Sequence, residues 1–175
     1  MAVLLSVPFV DRSSASGSPA GAQYDAPGCW YACVSMVARH FRRAPKTPLP
    51  QLLKRDLAGG VLGAQATGRG PVNLATNDHE ALAQLEQLDP VARCGTPHDY
   101  TLIELEDRLR TRGPIFYYWM KQGAAGRHGH AAVMIGTDAT GIIYHDPEQA
   151  PNAKMTVSAF NGSRQRWRSA LMQRL

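Results

Sequence analysis

The sequence predicts an α+β fold, with helices in the first two thirds of the chain and an antiparallel sheet in the last third. Apolar residues recur at helical spacing from residue 29 to about residue 112, whereas from residue 115 they form short runs separated by turn signals. Helices that precede a block of strands are typical of α+β proteins, since α/β proteins alternate the two. A chain of 175 residues that is 44% apolar and 19% charged is long enough to bury one such core.

Four helices are predicted in order along the chain. The first spans about 29 to 42, because apolar residues recur there every three or four positions, and a short second helix follows near 49 to 58. Capping-box patterns begin the other two helices. The third starts at Asn77 and has Leu82, Leu85 and Leu88 facing inward, and the fourth runs from Thr101 to Arg112.

The last third of the chain contains the predicted strands. Turn residues at Asp138-Ala-Thr-Gly141 are expected to join two of them into an antiparallel hairpin. In such a hairpin, residues 130 and 146 become near neighbours across the ladder. The strands are predicted at 115–120, 130–137, 141–145, 155–160 and 170–175.

Residues 1–22 are predicted to be a mobile N-terminal arm and residues 23–175 a single domain, because much of the first stretch is small and polar. Two glycine-rich stretches, 59–73 and 121–129, are expected to be mobile loops that form the walls of a groove.

Composition excludes several classes of protein. No window approaches eighteen consecutive apolar residues, so no membrane span is expected. Three cysteines are too few for a disulfide scaffold, and no CxxC, HExxH or paired-histidine spacing predicts a metal site. The net charge of +5 permits acidic partners without requiring one. The arginine-rich C-terminal stretch lacks the interleaved aromatic residues that stack on bases, so no nucleic-acid partner is expected.

Cys29 has the sequence context of a nucleophile. It lies at the predicted N-terminus of a helix, where unpaired backbone N–H groups and the helix dipole favour a thiolate. Gln23 lies six residues earlier in the preceding loop, where its side-chain amide is placed to fold back and donate a hydrogen bond beside the sulfur. For Cys29 taken alone, a buried structural cysteine is the simpler interpretation.

His130 and Asp146 shift that weighting towards catalysis. His130 begins one predicted strand and Asp146 ends the next, so the hairpin pairs an imidazole with a carboxylate. A carboxylate beside an imidazole holds its tautomer and stabilises its charged form. Together with Cys29 and Gln23, these residues provide the nucleophile, base, orienting acid and oxyanion donor that thiol-based acyl transfer requires.

This set resembles the papain-like cysteine peptidases. The spacing Gln23-x5-Cys29-Trp30 is typical of that family, and a later His-Ala-x-Val followed by a polar residue sixteen positions on is similar to its second half. In its details the pattern is more similar to two bacterial branches than to the plant papains. These branches are the double-glycine leader peptidases and the avirulence-type effector peptidases. It covers residues 23 to 160 and rests on Cys29-Trp-Tyr-Ala-Cys33, on Tyr144-His-Asp146-Pro147 and on Phe160.

The resemblance implies a papain-like fold in which Cys29 is the nucleophile and His130 is the general base and then the acid. It further implies that Asp146 orients the imidazole, where papain itself has an asparagine, and that Gln23 lines the oxyanion hole. The implied substrate is a protein or peptide, with cleavage after Gly-Gly as the first expectation, and no cofactor is expected.

The domain is expected to stand alone, which favours a bacterial effector or toxin. Such a protein is made in the bacterial cytoplasm and secreted by a dedicated apparatus into a target cell, with an immunity or inhibitor protein as a candidate partner. A leader-trimming peptidase that stays in the cytoplasm is the alternative. Two further alternatives use the same residues: a deamidase, acyltransferase or amidase, since fold does not decide substrate, and a non-catalytic peptide-recognition domain.

Other cysteines and histidines compete for these roles. Cys33 lies one turn inside the helix and is expected to be a core thiol, and Cys94 follows no helix start. His128 does not begin the apolar run, so the sixteen-residue interval favours His130. His145 precedes Asp146 directly, so its side chain is expected to lie on the opposite face of the strand and to have no catalytic role.

Overall fold

The computed structural model describes residues 2–11, 28–45, 86–90, 98–123, 126–164 and 171–174. Its strands form one antiparallel sheet in the order β2-β7-β3-β4-β5-β6, with β1 paired to β4. This arrangement confirms the predicted α+β class. The elements are β1 (Val3–Leu4), α1 (Gly28–His40), β2 (Leu88–Pro90), α2 (Leu102–Arg112), β3 (Ile115–Gly123), β4 (Gly126–Asp138), β5 (Gly141–Asp146), β6 (Ala150–Met155), α3 (Val157–Ser163) and β7 (Leu171–Arg174).

Helices cover both faces of the sheet. Side chains alternate along each strand, so neighbouring residues such as Phe116 and Tyr117 enter different halves of the core. On the first face, α1 packs through Trp30, Cys33, Val34 and Val37 against Phe116, Ala131 and Val133. On the second face, α2 and α3 pack through Leu105, Leu109 and Phe160 against Tyr117, Ala132, Met134 and Tyr144.

The helix α2 begins and ends where the sequence predicts. The Thr101 hydroxyl accepts a hydrogen bond from the backbone N–H of Glu104 at 3.2 Å, and the Glu104 carboxylate accepts one from the N–H of Thr101 at 2.7 Å. This reciprocal capping box satisfies two N–H groups that the first turn leaves unpaired. At the other end, Gly113 adopts φ 87 and donates its N–H to the carbonyl of Leu109.

The hairpin β4–β5 is also confirmed, and it positions the candidate site. Asp138 pairs with Gly141 across the turn, and the Asp138 carboxylate accepts a hydrogen bond from the N–H of Thr140 at 2.8 Å. A register shift between Met134 and Gly136 leaves Val133 opposite His145. Continuing that register places residue 146 opposite residue 132, two positions from residue 130 on the same strand face.

The N-terminal residues differ from the predicted mobile arm. Val3, Val7 and Val10 are buried, β1 pairs with β4, and Leu5 donates its N–H to the carbonyl of Ile135 at 2.8 Å. The alternating apolar residues of this segment suit a strand, and β1 pairs with the part of β4 that extends beyond the end of β3. Residues 12–22 of the predicted arm lie outside the described residues.

The prediction of a mobile loop over residues 121–129 is wrong. Residues 121–123 end β3 and residues 126–129 begin β4, with Lys121 paired to His128 and Gly123 to Gly126. Backbone ladder hydrogen bonds override the weak strand preference of glycine here. Because β3 and β4 extend this far, His130 lies within a paired strand.

Two further elements end differently from the prediction. The expected strand over 155–160 is wrong beyond Met155, because Thr156 caps α3 by accepting a hydrogen bond from the N–H of Ala159 at 3.1 Å. The predicted third helix does not reach Leu88, which begins β2 after Gln87 with φ 55. The rest of that helix, the predicted helix at 49–58, the loop at 59–73 and Cys94 lie outside the described residues.

No helix in the described ranges has the length and apolar character that crossing a membrane requires.

We expect Gly141→Ala to destabilise the protein by at least about 1 kcal/mol. Gly141 has φ +152, and a Cβ there would overlap the carbonyl oxygen of Met155 and lie 2.8 Å from the Cα of Thr156. Gly162 is the matched control, because a Cβ there meets nothing within 4 Å. Urea unfolding of both variants checks this prediction, and equal midpoints for Gly141→Ala and the wild type would contradict it.

Candidate active site

Cys29 lies in the first turn of α1, where backbone N–H groups have no partner within the helix. Its side chain is buried, and α1 packs against the strands that carry the other candidate residues. The predicted helix start is therefore confirmed at Gly28, one residue before the cysteine.

His130 and Asp146 are hydrogen-bonded to each other. The Nε2 of His130 and the Oδ1 of Asp146 are 2.7 Å apart, and both side chains are almost fully buried. An ionised carboxylate only accepts hydrogen bonds, so the proton between them belongs to Nε2. This pairing leaves Nδ1 as the ring nitrogen that is available to a second partner.

The second partner of His130 is Cys29. A hydrogen bond joins the two side chains, so the imidazole lies between the thiol and the carboxylate. Burial by itself lowers the pKa of His130, but hydrogen bonds with Asp146 and Cys29 outweigh burial and raise the pKa to about 9. The imidazole is therefore charged at neutral pH, in contact with a carboxylate on one side and with sulfur on the other.

Asp146 remains ionised throughout the usual pH range. Burial raises the pKa of this carboxyl group, but its hydrogen bonds with His130 and Lys121 and with the backbone of Glu148 lower the pKa to about 2. The N–H of Glu148 donates to Asp146 Oδ1 at 2.9 Å. The carboxylate is thus held in both position and charge.

Lys121 and Glu148 complete a buried ionic cluster that the sequence analysis missed. The Lys121 ammonium lies 2.7 Å from Asp146 Oδ2 and 2.7 Å from Glu148 Oε2. The Lys121 side chain is only 6% exposed. A single charged residue at the end of the apolar and aromatic run Ile115–Met120 is the sequence signal that points to it.

Three of these side chains offer ligand atoms that a metal ion could use. Atoms of His130, Asp146 and Glu148 lie within 4.8 Å of one another. The Lys121 ammonium, however, contacts both carboxylates at 2.7 Å and already provides the positive charge between them. The arrangement is therefore better suited to the ammonium group of Lys121 than to a bound metal ion.

Two of the competing residues, Cys33 and His145, have structural surroundings. Cys33 is fully buried in the core, and burial raises the pKa of its thiol well above the usual value. His145 contacts the N-terminal segment, with its Nε2 at 2.9 Å from the carbonyl of Val7 and its Nδ1 accepting from the N–H of Asn152 at 3.2 Å. Burial lowers the pKa of His145, so this residue is a neutral structural histidine.

An aromatic side chain lies beside the imidazole. Trp119 pairs with His130 across β3 and β4, and the two ring centroids are 6.2 Å apart. The Trp119 ring also contacts Tyr144 edge-on, with centroids 6.0 Å apart. An apolar ring beside the imidazole lowers the local dielectric constant and strengthens the electrostatic interaction of His130 with Asp146. Gln23, the predicted oxyanion donor, lies outside the described residues.

We expect His130 to titrate near pH 9 instead of near its ordinary value of about 6.5. Because the folded pKa is raised, the stabilisation from the imidazolium is fully present below about pH 6.5 and is lost as the pH rises to about 9. An NMR titration of the imidazole checks this value. Asp146→Asn removes the negative charge beside the imidazole and is expected to lower the pKa of His130. A wild-type His130 that titrates near pH 6.5 would contradict the geometry.

A comparison with protein families gives one match that covers most of the chain. Residues 14–165 match the model of a family described as papain-like cysteine protease AvrRpt2. The matched range contains Gln23, Cys29, His130 and Asp146. The match confirms the resemblance to the avirulence-type effector cysteine peptidases and the papain-like α+β fold.

Proposed function

The chain belongs to the family of papain-like cysteine proteases described as AvrRpt2 and is a thiol peptidase, and from that premise we propose that Cys29, His130 and Asp146 are its catalytic triad. The observation that carries the proposal is the continuous hydrogen-bonded path from Cys29 through His130 to Asp146. A cysteine at a helix start, an imidazole charged at neutral pH and a buried carboxylate together suit an activated thiol nucleophile.

The proposed reaction has two stages. The Cys29 sulfur attacks the carbonyl carbon of the scissile peptide bond, and the resulting oxyanion accepts hydrogen bonds from the backbone N–H of Cys29 and from Gln23. His130 then donates its proton to the leaving amine, whose departure leaves an acyl-enzyme. Water, deprotonated by His130, hydrolyses that thioester and releases the second product.

Asp146 acts on His130 and not on the substrate. Its Oδ1 holds the Nε2–H, so Nδ1 is the nitrogen that exchanges a proton with sulfur and with the leaving group. The role of Gln23 rests on its six-residue spacing from Cys29 and on the family resemblance.

The biological role that we propose is a bacterial effector or toxin, delivered by a dedicated secretion apparatus into a target cell. Its family supports this role, because the resemblance is to effector-type peptidases. Cleavage after Gly-Gly and control by an immunity or inhibitor protein are the finer parts of the same proposal.

Digestion of a proteome-derived peptide library, read by mass spectrometry, tests the proposed activity. The expected result is new peptide termini that a thiol-directed epoxide abolishes while it labels Cys29. Conversion of glutamine side chains without chain cleavage would instead identify a deamidase on the same triad. An absence of both epoxide labelling at Cys29 and chemical change in any peptide would identify a peptide-recognition domain and overturn the proposal.

A further inference from the structure

The cluster around Lys121 is an unusual feature for the interior of a sheet. Its ammonium contacts Asp146 and Glu148 at 2.7 Å each, with side-chain exposures of 6%, 0% and 25% for Lys121, Asp146 and Glu148. Burying charged groups costs free energy even when they are paired, and apolar replacements of buried ion pairs are often as stable. Stability alone therefore gives little reason for this cluster at the end of β3.

The two oxygens of Asp146 have separate partners. Oδ1 accepts from His130 Nε2 at 2.7 Å and from the N–H of Glu148 at 2.9 Å. Oδ2 accepts from Lys121 at 2.7 Å. With both oxygens engaged, the carboxylate plane cannot rotate without breaking a charged hydrogen bond. The contact of Lys121 thus determines which oxygen faces the imidazole.

Glu148 is the second carboxylate near the imidazole. Its Oε2 lies 4.0 Å from His130 Nδ1, beyond hydrogen-bond distance, and 2.7 Å from the Lys121 ammonium. Nδ1 is also the nitrogen that remains for Cys29, because Asp146 occupies Nε2. A small rotation of Glu148 towards Nδ1 would make it a competitor of the sulfur.

We propose that Lys121 is a positioning residue of this peptidase, which fixes Asp146 on His130 Nε2 and holds Glu148 away from the nitrogen that serves Cys29. This inference rests on the proposed triad and extends it to a fourth and a fifth residue. Lys121 touches neither the substrate nor the reacting atoms, so it acts through its two carboxylate partners.

The charge balance gives the proposal a pH signature. Without Lys121, two carboxylates face one imidazolium with no cation between them, which further stabilises the charged form of His130. Among the side chains that the structure describes, the other ionisable groups around this pair are Cys29 and Cys33 from α1, Tyr117 from β3 and Tyr144 from β5. None of these groups carries a positive charge that could replace the ammonium.

The test compares the pH dependence of kcat and KM for Lys121→Met, for Lys121→Met with Glu148→Gln, and for Lys121→Arg. We expect Lys121→Met to lower kcat about 10- to 100-fold with little change in KM, and to move the alkaline limb of kcat/KM to higher pH. In the double variant, Glu148→Gln removes the competing anion. The loss in log kcat is then expected to be smaller than that of Lys121→Met by at least about a third. Lys121→Arg keeps the charge and retains more activity than Lys121→Met.

Lys154→Met is the matched control. Lys154 pairs with Asp138 at 2.6 Å at the turn of the β4–β5 hairpin, and its side chain is 59% exposed. The same substitution there is expected to leave kcat, KM and the pH profile unchanged, because exposed ion pairs contribute little.

An unchanged kcat and pH profile in folded Lys121→Met would overturn the inference, as would a kcat defect that Glu148→Gln deepens. If Lys121→Met does not fold, the single variant Glu148→Gln tests the proposal. Removing the anion near Nδ1 must then move the alkaline limb to lower pH, and an unmoved limb contradicts the proposal. Activity in Cys29→Ala would overturn the triad itself, whereas an inactive Cys29→Ala beside a fully active Lys121→Met would overturn this inference alone.

Discussion

Cys29→Ala is expected to abolish peptide hydrolysis, with a loss of at least about 10⁴-fold in kcat/KM, because no covalent intermediate can form without the sulfur. The fold should survive. Replacing a thiol by a hydrogen at the first turn of α1 leaves only a small void, with a cost of about 1 kcal/mol. Steady-state kinetics and thermal unfolding of the variant measure the two effects separately.

Cys33→Ala is the control for this substitution. Cys33 lies on the same helix, one turn further along, and is fully buried. Its replacement should lower stability by a similar amount while retaining activity. A folded Cys29→Ala that hydrolyses peptides, beside a folded and inactive Cys33→Ala, would reverse the assignment of the nucleophile.

His130→Ala is expected to cost more activity than Asp146→Ala, by about 10- to 100-fold in kcat/KM. The imidazole moves the proton in both stages of the reaction, whereas the carboxylate holds the imidazole in place. Loss of Asp146 also removes a hydrogen bond that raises the pKa of His130 towards about 9, so the alkaline limb of the remaining activity should move to lower pH.

The kinetics of both variants should be measured from pH 5 to pH 10, with near-UV circular dichroism as the check on folding. Asp146→Asn serves as the conservative control, because it keeps the shape of the side chain and removes its charge. Wild-type kcat/KM in the Asp146→Ala variant would exclude this residue as the orienting group.

The sequence was sufficient to predict the local parts of the site. A helix start at Cys29 follows from apolar periodicity, and the turn at Asp138–Gly141 determines that two strands return side by side. The turn brings the two strands side by side, and the register shift between Met134 and Gly136 then places Asp146 on the same strand face as His130. These features depend on residues that are close in the chain, so local physical chemistry determines them.

The parts that the sequence analysis missed depend on distant contacts. Lys121 meets Asp146 only because β3 and β5 flank β4, and a pairing across 25 residues has no local signature. The segment around Val3 forms a strand because it pairs with β4, which lies more than 130 residues away in sequence. The first error came from judging a glycine-rich neighbourhood without its tertiary partners, and the second came from extending the small, polar character of residues 11–22 to the apolar residues before them.

Residue-resolved alkylation at pH 6 tests the central claim, that Cys29 and His130 form an activated pair. His130, with its pKa raised to about 9, is cationic at this pH and is hydrogen-bonded to Cys29. Iodoacetamide should therefore modify Cys29 faster than Cys33 and Cys94, and His130→Ala should slow that reaction, because the cation that stabilises the thiolate is gone. Labelling of Cys29 no faster than that of the other two cysteines, or labelling indifferent to His130→Ala, would contradict the account.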